Sequence, residues 1–221
     1  MTKEAVRARI IEIGIIPAVR LYSAEDALFA AEAVCEGGIP IVEVTMTVPG
    51  AIDVIRELTR QNSGIVVGAG TLFHVETARR CLDAGASFLT TPGLDLEIVN
   101  FAIGRGVVVL PGALTPTEIM AAWKAGSDFV KVFPCAANGG PSYIRALKKP
   151  FAEVPMIASG GVNQSNAVDF IRAGAVALGI GTDLIYQDAI TRRERGWITE
   201  LARRYRKMLE GARNLHKEAA T

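Results

Sequence analysis

Short apolar, β-branched runs alternate along this chain with longer stretches of alanine, leucine and charge, and a Gly or Pro turn marks most of the changeovers. The apolar runs are Gly14 to Arg20, Ile39 to Thr45, Ile65 to Val67, Ser87 to Thr90, Val107 to Leu110, Phe129 to Phe133, Val154 to Ala158 and Ala175 to Ile180. Runs of that length read as strands, and the stretches between them read as helices. Cap residues strengthen the helical reading: Ser23 with Glu25 and Asp26 behind it, Thr115 before Pro116, and Asn163 to Ser165. Ala84-Gly85, Ala125-Gly126 and Ala173-Gly174 each fall where a helix should end, and Gly37-Gly38 stops the helix after the first run.

Eight strands with a helix after each predict an α/β fold, a closed (β/α)8 TIM barrel. Residues Thr2 to Ile13 are expected to form an extra helix under the barrel. Residues Ile190 to Leu215 are expected to form a C-terminal amphipathic helix with Trp197, Leu201, Tyr205 and Leu209 on one face. No linker or low-complexity tract divides the 221 residues, so residues 1–221 are expected to be a single domain. The rival architecture, an open doubly wound sheet, lacks its Gly-x-Gly-x-x-Gly fingerprint after the first strand.

Composition narrows the function classes. Lys and Arg number 24 against 23 Asp and Glu, for a formal charge of +1, with no long run of one sign. Nucleic acid binding, which needs a concentrated basic face, is disfavoured. A small anionic substrate needs only a local patch. Half of the residues are hydrophobic, yet no apolar run approaches the length of a membrane span. The cytoplasm is the expected compartment, and Cys35, Cys81 and Cys135, odd in number and without CxxC spacing, suit a reducing one. His74 and His216 lie far apart, so no metal site is expected, and His74 is placed in the first turn of a helix.

The candidate chemistry starts at Lys131, in Asp128-Phe-Val-Lys-Val-Phe-Pro134. Alternation puts Phe129, Lys131 and Phe133 on one face of the strand. An ammonium between two phenylalanines is costly to bury unless it is paired or gives up its proton, and a lysine without its proton is an amine nucleophile. Glu43, in Ile41-Val-Glu-Val-Thr45, is the other ionisable residue expected inside the barrel wall. The two can form a structural ion pair or a catalytic one.

The strand ends supply the remaining candidates, because chemistry in such barrels gathers at the C-terminal ends of the strands. Gly160, Gly161, Gly179 and Gly181 let backbone amides approach an anion, and Thr182 adds a hydroxyl. Their place after strands seven and eight is where this fold recurrently holds phosphate, and a helix start near Ser165 would add its dipole. Arg20, ending the first strand, offers a fork for a carboxylate or phosphate, against the plainer reading of a rim salt bridge. Thr71 can donate to a carboxylate or cap a helix. Cys135 reads as a buried free thiol.

Together these residues resemble the 2-keto-3-deoxy-6-phosphogluconate (KDPG) aldolase family, also called 4-hydroxy-2-oxoglutarate aldolases. The matching strings are Val42-Glu-Val-Thr45, Gly68-Ala-Gly-Thr71, Thr91-Pro-Gly93, Phe129-Val-Lys-Val-Phe-Pro134, Ala137-Asn-Gly-Gly140, Ser159-Gly-Gly161 and Gly179-Ile-Gly-Thr182, in that order. The resemblance implies a (β/α)8 barrel, a homotrimer, and a Schiff-base lysine working with neither metal nor other cofactor. It implies that Lys131 forms the imine and that Glu43 is the general acid/base. Thr71 would bind the pyruvate carboxylate, Pro92 and Phe133 would line the site, and Gly160, Gly161, Gly181 and Thr182 would hold the substrate phosphate. One departure stands out. Many members carry an arginine where this chain has Thr47, in Met46-Thr-Val-Pro49, and Arg20 is the expected substitute.

The implied reaction is reversible cleavage of 2-dehydro-3-deoxy-6-phosphogluconate to pyruvate and glyceraldehyde 3-phosphate. The galactonate epimer and 4-hydroxy-2-oxoglutarate are alternative substrates. Another sugar-phosphate barrel enzyme using Lys131 as a proton donor, or a silent barrel that binds a phosphometabolite, are the rival functions.

Overall fold

A helix packs beneath the first strand before the barrel begins. The computed structural model describes residues 1–61 and 64–218, the side chains from position 214 onward excepted, so the His216 side chain lies outside the described residues. The strands are β1 (Ile15–Val19), β2 (Ile41–Thr45), β3 (Val66–Gly70), β4 (Phe88–Thr90), β5 (Val108–Leu110), β6 (Gly112–Ala113), β7 (Val130–Val132), β8 (Met156–Ser159) and β9 (Ala177–Ile180). The helices are α1 (Lys3–Ile13), α2 (Ala24–Glu36), α3 (Ala51–Gln61), α4 (Val75–Asp83), α5 (Leu96–Gly104), α6 (Pro116–Lys124), α7 (Gly140–Lys148), α8 (Ala167–Arg172), α9 (Gln187–Thr191) and α10 (Arg195–Glu218).

All paired strands are parallel, in the order β5-β4-β3-β2-β1-β9-β8-β7-β6. The two ends of that order, β5 and β6, are consecutive in the chain with only Pro111 between them. They are one strand interrupted by a residue that has no N–H to give the ladder. The ring of eight closes through that strand, as the alternating pattern predicts. The Pro111 carbonyl still accepts the Lys131 N–H at 2.9 Å.

Local chemistry explains the helices. The Ser23 hydroxyl accepts the Asp26 N–H at 3.1 Å, and Thr115 with Glu118 forms a reciprocal capping box ahead of Pro116. The predicted Ala-Gly pairs follow α4, α6 and α8 directly. Two expectations need correction. Asn163 does not open α8: its carboxamide accepts from Ser165, a short turn follows, and the helix begins only at Ala167. The C-terminal helix is not continuous from Ile190 either, because Arg193 at φ 54 separates α9 from α10.

Underneath, α1 buries Val6, Ile10 and Ile13, while Lys3 pairs with Asp128 at 3.1 Å and Asp128 accepts the Val109 N–H at 3.1 Å. Arg206 and Arg213 of α10 donate to the carbonyls of Ile13 and Glu12, the free C-terminal acceptors of α1, at 3.1 and 2.8 Å. The bottom of the barrel is thus closed and tied, and the upper end is left for binding. No helix among the described residues is long and apolar enough to cross a membrane.

Candidate active site

Glu43 and Lys131 lie on β2 and β7, the second and sixth strands of the ring of eight, and therefore reach toward each other from opposite walls. They are the only charged side chains among the buried described residues. Nζ of Lys131 stands 3.5 Å from Oε2 of Glu43. The ring of Phe133 lies beside the ammonium, its centroid 5.6 Å away.

The pair also has a third member. The Thr90 hydroxyl accepts from Lys131 Nζ at 3.2 Å and donates to Glu43 Oε2 at 3.3 Å. Thr90 ends β4, midway round the ring between the two charges. The register explains the meeting. Glu43 pairs with Gly68 and Gly68 with Phe88, so Thr90 stands two residues above the Glu43 line. Lys131 pairs with Ile157 and Ile157 with Ala177, so Gly179 stands two residues above the Lys131 line. A rise of two residues for every two strands is the stagger by which alternate strands of this barrel contribute side chains to one layer. Glu43, Thr90, Lys131 and Gly179 are such a layer, and its fourth place carries no side chain.

The Ser159 side chain packs where a Gly179 Cβ would stand, and both residues border a cavity of about 170 Å³. Arg20, Glu43, Thr71, Pro92, Lys131, Phe133, Gly160, Gly161, Gly181 and Thr182, every site residue expected from the sequence, line it together. Thr90 is not conspicuous in the sequence, where it is only the last position of the fourth apolar run; the layer rule is the signal that finds it.

The glycines are in place for steric reasons. A Cβ on Gly70 would lie 2.0 Å from Glu43 Oε1, so the carboxylate occupies the space that a side chain there would need. Gly160 and Gly161 have φ of +85° and +78°, which turns the chain beneath the cavity in a conformation L side chains rarely adopt. Thr71 holds φ 60, an uncommon backbone conformation for a β-branched residue.

Arg20 is exposed at the rim, and among the described residues it makes no ion pair. Thr47, in the place of the expected arginine, is exposed too, and its hydroxyl is hydrogen-bonded to that of Thr45 at 2.7 Å. Both line a second depression next to the main cavity, with Tyr22 and Gln187. His74 is the N-cap residue of α4 rather than a member of its first turn, and no side-chain hydrogen bond of its own supports the cap. Cys135, just past the lysine strand, is buried, and that burial pushes its thiol up to about 12. It is an inert packing residue.

A parallel eight-stranded barrel with a buried lysine and glutamate facing each other beneath an open, glycine-walled mouth has the build of a barrel enzyme that works through an amine and a carboxylate. Residues 6–201 match the family model "KDPG and KHG aldolase", and the chain belongs to that family. The 2-dehydro-3-deoxy-phosphogluconate aldolase of Pseudomonas aeruginosa is 31% identical over 192 residues, covering 87% of each chain. The KHG/KDPG aldolase of Escherichia coli (strain K12) is 31% identical over 199 residues, 90% of this chain and 92% of the other. Among solved structures, the KDPG aldolase of Legionella pneumophila, with pyruvate captured as a covalent carbinolamine, superimposes with a TM-score of 0.84 at 29% identity, covering 90% and 96% of the two chains. The protein is an aldolase, a carbon–carbon lyase.

Proposed function

We propose that this enzyme cleaves 2-dehydro-3-deoxy-6-phosphogluconate to pyruvate and glyceraldehyde 3-phosphate through an imine on Lys131. The observation that carries the reading is the approach of Lys131 and Glu43 to 3.5 Å inside one cavity that also holds the anion-binding candidates. The relatives' names supply the substrate class, and 4-hydroxy-2-oxoglutarate is a second substrate of the same chemistry.

Lys131 adds to the C2 ketone, and loss of water gives a protonated imine, the electron sink for breaking a carbon–carbon bond. Glu43 takes the proton of the C4 hydroxyl, directly or through a water, as the C3–C4 bond breaks. The aldehyde leaves, the resulting enamine is protonated at carbon, and hydrolysis of the imine releases pyruvate. Charge is balanced by lysine and carboxylate alone, so the reaction draws on no metal or organic cofactor. Thr71 is assigned to the pyruvate carboxylate. Gly160, Gly161, Gly181 and Thr182 are assigned to the phosphate, Pro92 and Phe133 to the walls. Arg20, which makes no ion pair among the described residues, takes a substrate anion at the rim.

The whole chain is proposed to act as one domain and to assemble as a homotrimer. An open groove beside the site, where the exposed Phe73 lies with Met46 and Ile52 between Asp53 and Arg80, supports assembly, because exposed apolar groups with a polar rim mark contact faces. Three free cysteines support a reducing, cytoplasmic setting.

Borohydride reduction in the presence of pyruvate, followed by peptide mass spectrometry, tests the mechanism. A single pyruvyl adduct on Lys131, absent from folded Lys131→Ala together with turnover, is expected. An adduct confined to another lysine, or near-normal turnover by Lys131→Ala, overturns it.

A further inference from the structure

We propose that the Thr90 hydroxyl is the proton relay between Lys131 and Glu43, a positioning residue for imine formation; this rests on the imine reading given above.

Three observations point to it. Both hydrogen-bond steps through Thr90, 3.2 and 3.3 Å, are shorter than the direct 3.5 Å separation of the charged atoms. Thr90 is fully buried, so bulk water does not reach its hydroxyl, whereas Lys131 and Glu43 also line the cavity. Its partners are also of an unusual kind. Buried threonines elsewhere in this chain send their hydroxyls to backbone carbonyls, Thr45 to Val19 at 3.0 Å and Thr199 to Ala33 at 3.1 Å. Among the described residues, the Thr90 hydroxyl is hydrogen-bonded only to the two ionisable side chains of the site. A valine has nearly the same shape, so what the hydroxyl adds is not volume but a hydrogen-bond partner shared by Lys131 and Glu43.

The relay balances. The ammonium of Lys131 passes one proton to Oγ1 of Thr90 as Oγ1 passes its own to Oε2 of Glu43. Lys131 becomes a neutral amine, Glu43 a neutral acid, and Thr90 is unchanged. Both products are what the next two steps need. The amine attacks the C2 carbonyl, and the carboxylic acid protonates the oxygen that leaves as water. After the transfer both hydrogen bonds run the other way: the Glu43 O–H donates to Oγ1 of Thr90, and the Thr90 O–H donates to the Lys131 amine until the substrate carbonyl takes the lone pair.

The test uses the full chain with Thr90→Val and Thr90→Ser. Steady-state aldol cleavage and the rate of borohydride-trapped imine formation from pyruvate are measured for both, with circular dichroism to verify folding. In Thr90→Val, kcat and the trapping rate are expected to fall together, on the order of 10²-fold, with KM changed less than about two-fold. Thr90→Ser, which keeps the hydroxyl, is expected to regain most of the loss. Parent-like trapping in Thr90→Val overturns the relay. So does a serine variant as slow as the valine one, since the methyl group would then be what matters. Should the valine variant fail to fold, Thr90→Ala against Thr90→Ser gives the same contrast. Failure to trap any imine on the parent enzyme would instead remove the imine reading and the relay with it, an outcome that no Thr90 result alone can produce.

Discussion

Gly70 is the position where one carbon atom should separate catalysis from folding. Gly70→Ala places a Cβ 2.0 Å from Oε1 of Glu43 and 2.5 Å from its Cγ and Cδ. Relief to an ordinary contact requires the carboxylate to move by roughly 1 Å or more, and a displacement of that size in a catalytic group costs about 10²-fold in rate. That corresponds to ~2.7 kcal/mol of transition-state stabilisation. Overpacking by one carbon should also cost about 1–3 kcal/mol of stability, a fall in Tm of about 2–12 °C for a chain this size. Gly68→Ala is the control. Its Cβ meets the Phe88 ring at 2.2 Å, an equally severe clash in the same strand but with an apolar neighbour below Glu43. Both variants are expected to melt early, while kcat at a temperature where both are folded falls about 10²-fold for Gly70→Ala and much less for Gly68→Ala. A coupled assay for released pyruvate, run beside thermal melts, measures both quantities. Equal kcat in the two variants would refute the idea that Gly70 is there to seat the carboxylate.

Two further outcomes follow from the same structure. Arg20→Ala should raise KM about 10–100-fold with kcat within a few-fold, the loss expected for one charged hydrogen bond to a bound anion, and unchanged KM in steady-state kinetics would exclude Arg20 from binding. Glu118 accepts from the backbone N–H groups of Thr115 and Leu114 at 2.7 and 2.8 Å, which, with the Thr115 hydroxyl, holds its carboxyl below the usual range. Its contribution is therefore present above the unfolded carboxyl value and is lost as pH falls through the lower folded one. Glu118→Ala should cost about 1 kcal/mol near neutrality, and its Tm deficit should narrow below about pH 4; a deficit constant with pH would refute the assignment.

The barrel was legible because its signals are local and repeated: strand alternation, caps, and Ala-Gly stops recur in each unit. The site residues were legible where chemistry makes a residue type conspicuous, as with a lysine between phenylalanines. Thr90 was not, since a threonine at a strand end has ordinary reasons to be there, and only the inter-strand stagger shows what it faces. The C-terminal helix forms as expected, but its face departs at one residue for a geometric reason. Steps of four residues advance an α-helix ~40° past a full turn, so a face drawn through Trp197, Leu201, Tyr205 and Leu209 drifts round the axis. Leu201, Tyr205 and Leu209 are buried, but Trp197 is 44% exposed and packs edge-on against Tyr186, ring centroids 5.0 Å apart. The break at Arg193 has no sequence signal comparable to a proline.

The layer below the charged one shows why this barrel can carry ions at its centre. Two residues down the same four strands are Ile41, Phe88, Phe129 and Ala177, all completely buried. Two phenylalanines fill the bore under Glu43 and Lys131, and the Cβ that Gly68 lacks would have struck Phe88. Water therefore reaches the pair only from the mouth, and the charges sit against a dry floor where an unpaired ion would be costly. A buried ion pair seldom stabilises a fold relative to apolar packing, while removing one partner leaves the other uncompensated. Stability alone therefore gives no reason to place Lys131, Thr90 and Glu43 in a layer that aliphatic residues would fill. The apolar floor, the cavity bordered by Gly179 and the hydrogen-bonded trio make sense together when the layer is read as a nucleophile, its proton acceptor and room for a carbonyl.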